Sequence, residues 1–230
     1  MKIKGFQKLT LLDYKGYLAA TVFTGGCNFI CPFCHNSDLV LRPKEVPSIS
    51  SDEVIKALEE RKHKLEAVCI SGGEPTLQPD LPIFISRIRA LGYKIKLDTN
   101  GYKPDVLDYL FKHHLLDYVA MDIKNCKEKY AMTTGISGLE LSRIEKSIQL
   151  IMQSSTSYEF RTTIAKELHT KEDIESISRW ISGASNYYLQ AYKESENVIH
   201  PVYSSYKKEE LEEFKKTAQN YVKHVDIIGL

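Results

Sequence analysis

Long apolar runs are missing from this sequence. The longest near its start, residues 17–23, is far too short to cross a bilayer, which takes about 20 apolar residues. The basic start has no apolar segment and no small-residue cleavage site behind it, so no secretory leader is expected. An excess of one charge is missing too. The formal net charge is +1 with 27% of residues charged, which gives no global pull toward nucleic acid or a membrane surface. No low-complexity linker, charge block or short repeat interrupts the 230 residues, so one domain over 1–230 is the economical expectation, in the cytoplasm by default. Cysteine is scarce and odd in number: Cys27, Cys31, Cys34, Cys69 and Cys126. A secreted disulfide framework would look different, and three thiols crowded into eight positions more often bind metal.

What is present is an alternation. Short β-rich apolar runs fall at 18–23, 67–71, 94–98, 118–123, 158–164 and 187–192, with a further edge piece at 225–228. Amphipathic segments at 81–91, 104–114, 139–153, 170–182 and 207–222 read as helices. So does the stretch opened by Ser51-Asp52-Glu53, whose apolar stripe runs through Val54, Leu58 and Leu65. Such alternation predicts an α/β fold with a parallel sheet and helices outside it. Six strand–helix units suit a partial (β/α)6 TIM-like barrel as well as an open doubly wound sheet, and periodicity does not separate the two.

The chemistry-bearing feature is Cys27-Asn28-Phe29-Ile30-Cys31-Pro32-Phe33-Cys34-His35-Asn36, directly after the first of these strands. Ligands bind in α/β folds at the carboxyl ends of the strands. Three thiolates spaced four and three apart can wrap one small inorganic core, and thiolate is the usual ligand of iron–sulfur clusters. Clusters usually take four, so either a distant residue supplies the fourth ligand or one iron stays open to a small molecule. The competing reading is a zinc knuckle with His35 as fourth ligand. Against it, His35 directly follows Cys34, and adjacent residues rarely reach one metal together.

Polar residues recur at one strand end after another. Ser71-Gly72-Gly73-Glu74 follows the second strand, Asp98-Thr99-Asn100-Gly101 ends the third, and Asp122-Ile123-Lys124 ends the fourth. Arg161 lies in the fifth and Gln190 in the sixth. Each alone reads as a turn or a charge meeting solvent. Together they mark the active face of a barrel.

With Phe33 ahead of the last cysteine, the C-x3-C-x2-C loop resembles the signature of the radical SAM superfamily. Within it, the Cys34-His35-Asn36 ending, the Asp98-Thr99-Asn100-Gly101 motif and the Asp122-x-Lys124 motif resemble glycyl-radical-enzyme activating enzymes. The denser similarity, from about Gly5 to Arg161, is to activating proteins of anaerobic ribonucleoside-triphosphate reductase. The resemblance implies a [4Fe–4S] cluster on Cys27, Cys31 and Cys34, with S-adenosylmethionine on the open iron. Reductive cleavage of that cofactor yields a 5′-deoxyadenosyl radical, which takes hydrogen from a glycine of the partner. It also implies that Glu74 and Asn36 lie near the cofactor's amino group, with Gly72 and Gly73 approaching it closely. Lys124 and Arg161 would meet its carboxylate or ribose, and Phe33 its adenine. Asp98, Asn100, Asp122 and Gln190 complete the implied cofactor set. A reduced flavodoxin or ferredoxin-type protein is implied as electron donor.

Some such enzymes hold a monovalent cation, Na+ or K+, beside the cofactor carboxylate. The matching motifs would place Asp13, Asp98 and Asp122 there, although Asp13 reads equally as an exposed turn residue ahead of Gly16. Cys69 reads as a buried small hydrophobe, Cys126 as a loop residue, and His113-His114 as helix-end residues without a role. The polar, aromatic segment 193–208, with His200, Pro201, Tyr203 and Tyr206, reads either as a solvated connector or as a contact for the partner protein and not for the cofactor. Two other functions stay open: a small-molecule radical SAM enzyme of the tailoring or 7-deazaguanine-forming kind, and a non-catalytic zinc-binding module.

Overall fold

The computed structural model describes residues 1–230. One eight-stranded sheet carries the fold, its strands in sequence order. They are β1 (Ile3–Thr10), β2 (Ala19–Thr24), β3 (Ala67–Gly72), β4 (Lys94–Thr99), β5 (Tyr118–Asp122), β6 (Ser157–Ile164), β7 (Asn186–Ala191) and β8 (His224–Ile228). From β2 to β8 every neighbouring pair is parallel, whereas β1 runs antiparallel to β2. β1 and β8 do not pair, so the sheet stays open. The six strands read from the alternation form the middle of this partial barrel. The edge piece at 225–228 is realised as β8.

Eight helices connect the strands: α1 (Ser37–Leu41), α2 (Ser51–Glu59), α3 (Leu81–Ala90), α4 (Pro104–Lys112), α5 (Lys127–Thr134), α6 (Leu141–Gln153), α7 (Lys171–Trp180) and α8 (Lys208–Ala218). α2 starts on a capping box: Ser50 Oγ accepts from the Glu53 amide while Glu53 accepts from the Ser50 amide. The cap is thus one residue earlier than the sequence indicates, and α2 ends at Glu59. Leu65 is buried in the connection to β3 and not in the helix. α7 repeats the device with Thr170 and Asp173. Alternate strand residues such as Val68, Ile70, Ile95, Leu97, Val119 and Met121 join helix residues such as Leu58, Ile85, Leu107 and Ile148 in the core.

The intervening residues fill the barrel with charge. Lys96 Nζ lies 3.3 Å from Asp98 and 3.8 Å from Glu159. Arg161 reaches Asp122, Asp98 and Glu159 at 3.0, 3.6 and 3.8 Å. Strand register brings this about, because Asp122 sits beside Arg161 and Arg161 beside Tyr188 on adjoining strands.

Candidate active site

The carboxyl ends of β2 to β7 surround a cavity of about 270 Å³. Its wall contains Cys27, Cys31 and Cys34, and every residue the resemblance assigns to the cofactor: Phe33, Asn36, Gly72, Gly73, Glu74, Asp98, Asn100, Asp122, Lys124, Arg161 and Gln190. Phe29, Val40, Thr99 and Thr163 also line it, and the sequence reading gave them no role. For Thr163 a signal existed, since it lies two residues beyond Arg161 on the same face of β6.

The thiol loop leaves β2 through Gly25 and Gly26 and is pinned at several points. The Ile30 amide donates to the Thr134 carbonyl of α5 at 2.9 Å. The Cys34 amide closes a turn on the Cys31 carbonyl at 3.0 Å. Asn36 Nδ2 donates to the Gly72 carbonyl at 2.8 Å. The two glycines after β3 serve loop against loop. A Cβ on Gly73 would lie 2.1 Å from the Gly26 carbonyl oxygen, and one on Gly72 would lie 2.3 Å from the Thr24 nitrogen. Gly72 also holds φ +111°, which side chains disfavour. Their smallness therefore lets the β3 loop lie against the thiol loop, with the Gly73 and Glu74 amides donating to Thr24 and Gly26 carbonyls at 2.8 Å each.

Glu74 is fully buried. Its carboxylate accepts from the Thr76 amide and hydroxyl, the Thr99 hydroxyl and the Asn100 amide, at 3.0, 2.5, 2.8 and 2.7 Å. Burial raises its pKa and these four donors work against that rise. It stands on the cavity wall while tying the loops after β3 and β4 together. Lys124 and Arg161 converge on Asp122, with contacts of 2.9 and 3.0 Å. Burial alone would raise the Asp122 pKa, but the two cations overcome it and hold it at about 2. Lys124 is pushed up in turn, Asp122 outweighing its desolvation.

The donor set fits an iron–sulfur cluster with an open position. Burial pushes the Cys27 thiol up to about 12 and the Cys31 thiol up to about 11, and raises Cys34 as well. Lys124 opposes the rise at all three, so a cation already stands where thiolates would form. Neither remaining cysteine reaches the site. Cys69 is buried within β3, and Cys126, at the start of α5, donates to Asp173 at 3.3 Å. His35 stands on the cavity wall, but its Nε2 is engaged 2.8 Å from the Lys193 carbonyl. No three His, Cys, Asp or Glu side chains approach closely enough to share one metal ion. With His35 held by the Lys193 carbonyl, the zinc knuckle is left without a free fourth ligand.

The cation trio of the sequence reading is not assembled. Asp98 and Asp122 share Arg161, but Asp13 lies in the β1–β2 connection, at the end where β2 begins. There its carboxylate accepts from the Thr21 hydroxyl and its carbonyl accepts from Lys96 at 2.5 Å. Lys96 stands between it and the cavity, with Nζ 3.3 Å from Asp98, and the other two acids are paired with lysine and arginine.

The segment 193–208 packs on the thiol loop. The Ile199 amide donates to the Cys34 carbonyl at 3.3 Å and the His200 amide to the Pro32 carbonyl at 2.8 Å. With the His35–Lys193 contact, these bonds strap the segment onto the thiol loop. It is thus more than a plain solvated connector, while none of its residues lines the cavity.

Comparison with known proteins agrees with this geometry. A provisionally named glycyl-radical enzyme activating enzyme of Methanocaldococcus jannaschii is 33% identical over 98% of this chain and 95% of its own. The pyruvate formate-lyase-activating enzyme of Clostridium pasteurianum is 31% identical over 58% of this chain and 57% of its own. The 7-carboxy-7-deazaguanine synthase of Halobacterium salinarum also matches, at 35% identity but over only 39% of this chain and 36% of its own. Streptococcus suis SuiB bound to S-adenosylmethionine shares the fold, with a TM-score of 0.70 at 17% identity over 88% of this chain, which spans about half (48%) of SuiB. The profile of the radical SAM superfamily matches residues 21–181, a stretch holding every residue of the cavity except Gln190. A [4Fe–4S] cluster and S-adenosylmethionine come with that family, and this chain belongs to it as a radical SAM enzyme.

Proposed function

We propose that the chain is a single-domain activating enzyme that generates a glycyl radical on a partner enzyme, and that the partner is anaerobic ribonucleotide reductase. The observation that carries the reading is the end-to-end match to the M. jannaschii activating enzyme, 98% of one chain against 95% of the other. The deazaguanine-synthase likeness is less complete: 35% identity over 39% of this chain in one relative, and 24% identity over 64% in another. The unpaired edges of β1 and β8 leave the barrel open at the side, where a peptide loop can enter.

In this reading Cys27, Cys31 and Cys34 hold the cluster. When bound, cluster and S-adenosylmethionine supply a carbon radical able to take a hydrogen atom from a glycine Cα. The chain's own residues bind and orient. Lys124 and Arg161, held by Asp122, present cations to the cofactor's carboxylate. The loop around Gly72, Gly73 and Asn36 receives its amino group, and Glu74 fixes that loop against Asn100. Asp98 and Gln190 would complete the cofactor's pocket, and Phe33 would offer an apolar face to adenine. Phe29, Phe33 and Val40 keep water from the reacting atoms. A reduced flavodoxin or ferredoxin-type protein in the cytoplasm supplies the electron. No helix is long and apolar enough to cross a membrane.

The test is anaerobic incubation of cluster-loaded protein, S-adenosylmethionine and a reductant with anaerobic ribonucleotide reductase. A glycyl radical seen by electron spin resonance is the expected result. If no glycyl-radical enzyme acquires a radical, while a small molecule stimulates cofactor cleavage, the small-molecule reading takes its place.

A further inference from the structure

Asn100 follows β4, 5% exposed, with its side chain fixed from several directions. Its backbone amide donates to Glu74 at 2.7 Å, and its Oδ1 accepts from the Tyr102 amide at 3.0 Å. That second bond settles which way the carboxamide faces: Nδ2 must point the other way. There it donates to Asn28 Oδ1 at 2.9 Å and lies 3.7 Å from Cys27 Sγ, within reach of an N–H···S bond. The Phe29 amide also donates to Cys27 Sγ, at 3.3 Å. Asn28 Nδ2, next along the chain from Cys27, is buried without a partner. Cys27 thus has a side-chain amide within reach as well as a backbone one.

We infer that Asn100 is a positioning residue that sets how readily the cluster is reduced, through an N–H···S bond to the Cys27 ligand sulfur. This rests on the three cysteines holding the cluster, and goes beyond that reading by separating Asn100 from the cofactor contacts. One electron passes from an external reductant to the cluster; no bond breaks and no proton moves. The added electron increases the negative charge on the ligand sulfurs. A donor aimed at one of them stabilises the reduced form more than the oxidised form, so reduction becomes easier. The bonds to Glu74, Tyr102 and Asn28 hold the donor in place before the electron arrives, so little reorganisation accompanies reduction. Glu74 acts at one remove, by fixing the Asn100 backbone.

The test uses reconstituted, cluster-loaded protein, with iron and sulfide content measured first and potentials read by spin-resonance-monitored titration with dithionite. Asn100→Leu keeps the size and removes the donor. Asn100→Asp keeps the oxygen that serves Tyr102 and turns an acceptor toward the sulfur. With cluster content at the wild-type level, the midpoint falls in Asn100→Leu and falls further in Asn100→Asp. At a fixed potential the ratio of reduced to oxidised cluster drops two- to tenfold, the range a net hydrogen bond is worth. Tenfold is 59 mV in a one-electron couple. An unmoved midpoint in the loaded variants overturns the inference and leaves the cluster assignment standing. A wild type that takes up no iron sinks both.

Should neither variant fold, wild-type and Asn28→Ala protein labelled with 15N at asparagine side chains decide. Nitrogen coupling to the reduced cluster that persists in Asn28→Ala is expected, and its absence from either protein overturns the inference. Coupling of undiminished size in a folded Asn100→Leu protein assigns it to Asn28 and likewise overturns the role of Asn100.

Discussion

The His200 amide donates to the Pro32 carbonyl at 2.8 Å, closing the segment after β7 over the loop that carries the three thiols. The neighbouring Ile199 amide does the same for Cys34 at 3.3 Å. Ile199→Pro removes that N–H and leaves the Cys34 carbonyl without its partner. The expected outcome is a lower iron content after reconstitution, with cofactor cleavage and glycyl radical yield falling together. Iron analysis beside both assays checks it. A segment that served the partner alone would cost radical yield and spare the other two.

The three loop cysteines should be separable from the other two. Cys27→Ala, Cys31→Ala and Cys34→Ala each lose the brown colour and cofactor cleavage, because each removes a cluster ligand. Cys69→Ala and Cys126→Ala keep both. Cys126→Ala also loses the Sγ–Asp173 contact, which costs about 1 kcal/mol of stability in a denaturant titration. Loss of the cluster in Cys126→Ala would mean four cysteine ligands and no open iron.

Glu74→Ala strands the buried Thr76 and Asn100 amides and the Thr99 hydroxyl. The loss should reach about 3 kcal/mol or more, since each hydrogen bond to a charged group is worth about 1.5–3 kcal/mol. Thermal unfolding of cluster-free protein measures it without any cofactor present. A resemblance to cofactor-binding motifs predicts only weaker cofactor affinity for this variant. An unfolding temperature equal to wild type would show that the four bonds do not hold the loops.

The site was largely legible because its chemistry constrains residue type at fixed places. Thiols, paired glycines and strand-end charges cannot be exchanged freely, and the two-residue period of a strand points each of them inward. The parts that were illegible lack such constraints. β1 mixes buried and exposed positions without alternation, and its register with β2 shifts twice, so no period of two survives in its sequence. α5 presents no apolar stripe; its Thr133 and Thr134 are buried without being apolar. The strap of Ile199 and His200 works through backbone amides, which any residue but proline carries, so its sequence bears no mark of it. Asp13 entered the cation set by motif position alone, and the β1–β2 connection sets its carboxylate on Thr21 and its carbonyl on Lys96, contacts that no motif marks.

His169 gives the last prediction, a pH dependence of folding. The ring is fully buried, with Nε2 2.8 Å from the Lys124 carbonyl and Nδ1 3.2 Å from the Ala165 amide. With Nδ1 accepting from that amide, Nε2 carries the proton and the neutral ring satisfies both partners. Nδ1 also lies 3.3 Å from the Ala165 carbonyl, which accepts from it in the charged form. Burial lowers the pKa below its ordinary 6.5, outweighing the help of the two backbone bonds; nearby Asp173 favours the charged form and Lys129 opposes it. The unfolded chain therefore binds a proton at a pH where the folded chain does not, and stability falls as pH drops below 6.5 and on through the folded pKa. His169→Gln keeps a donor and an acceptor but cannot titrate. Urea midpoints of cluster-free wild type and variant, taken at pH 7.5 and pH 5.5, should show a larger loss for the wild type between the two. Equal losses would place that acid sensitivity on other groups.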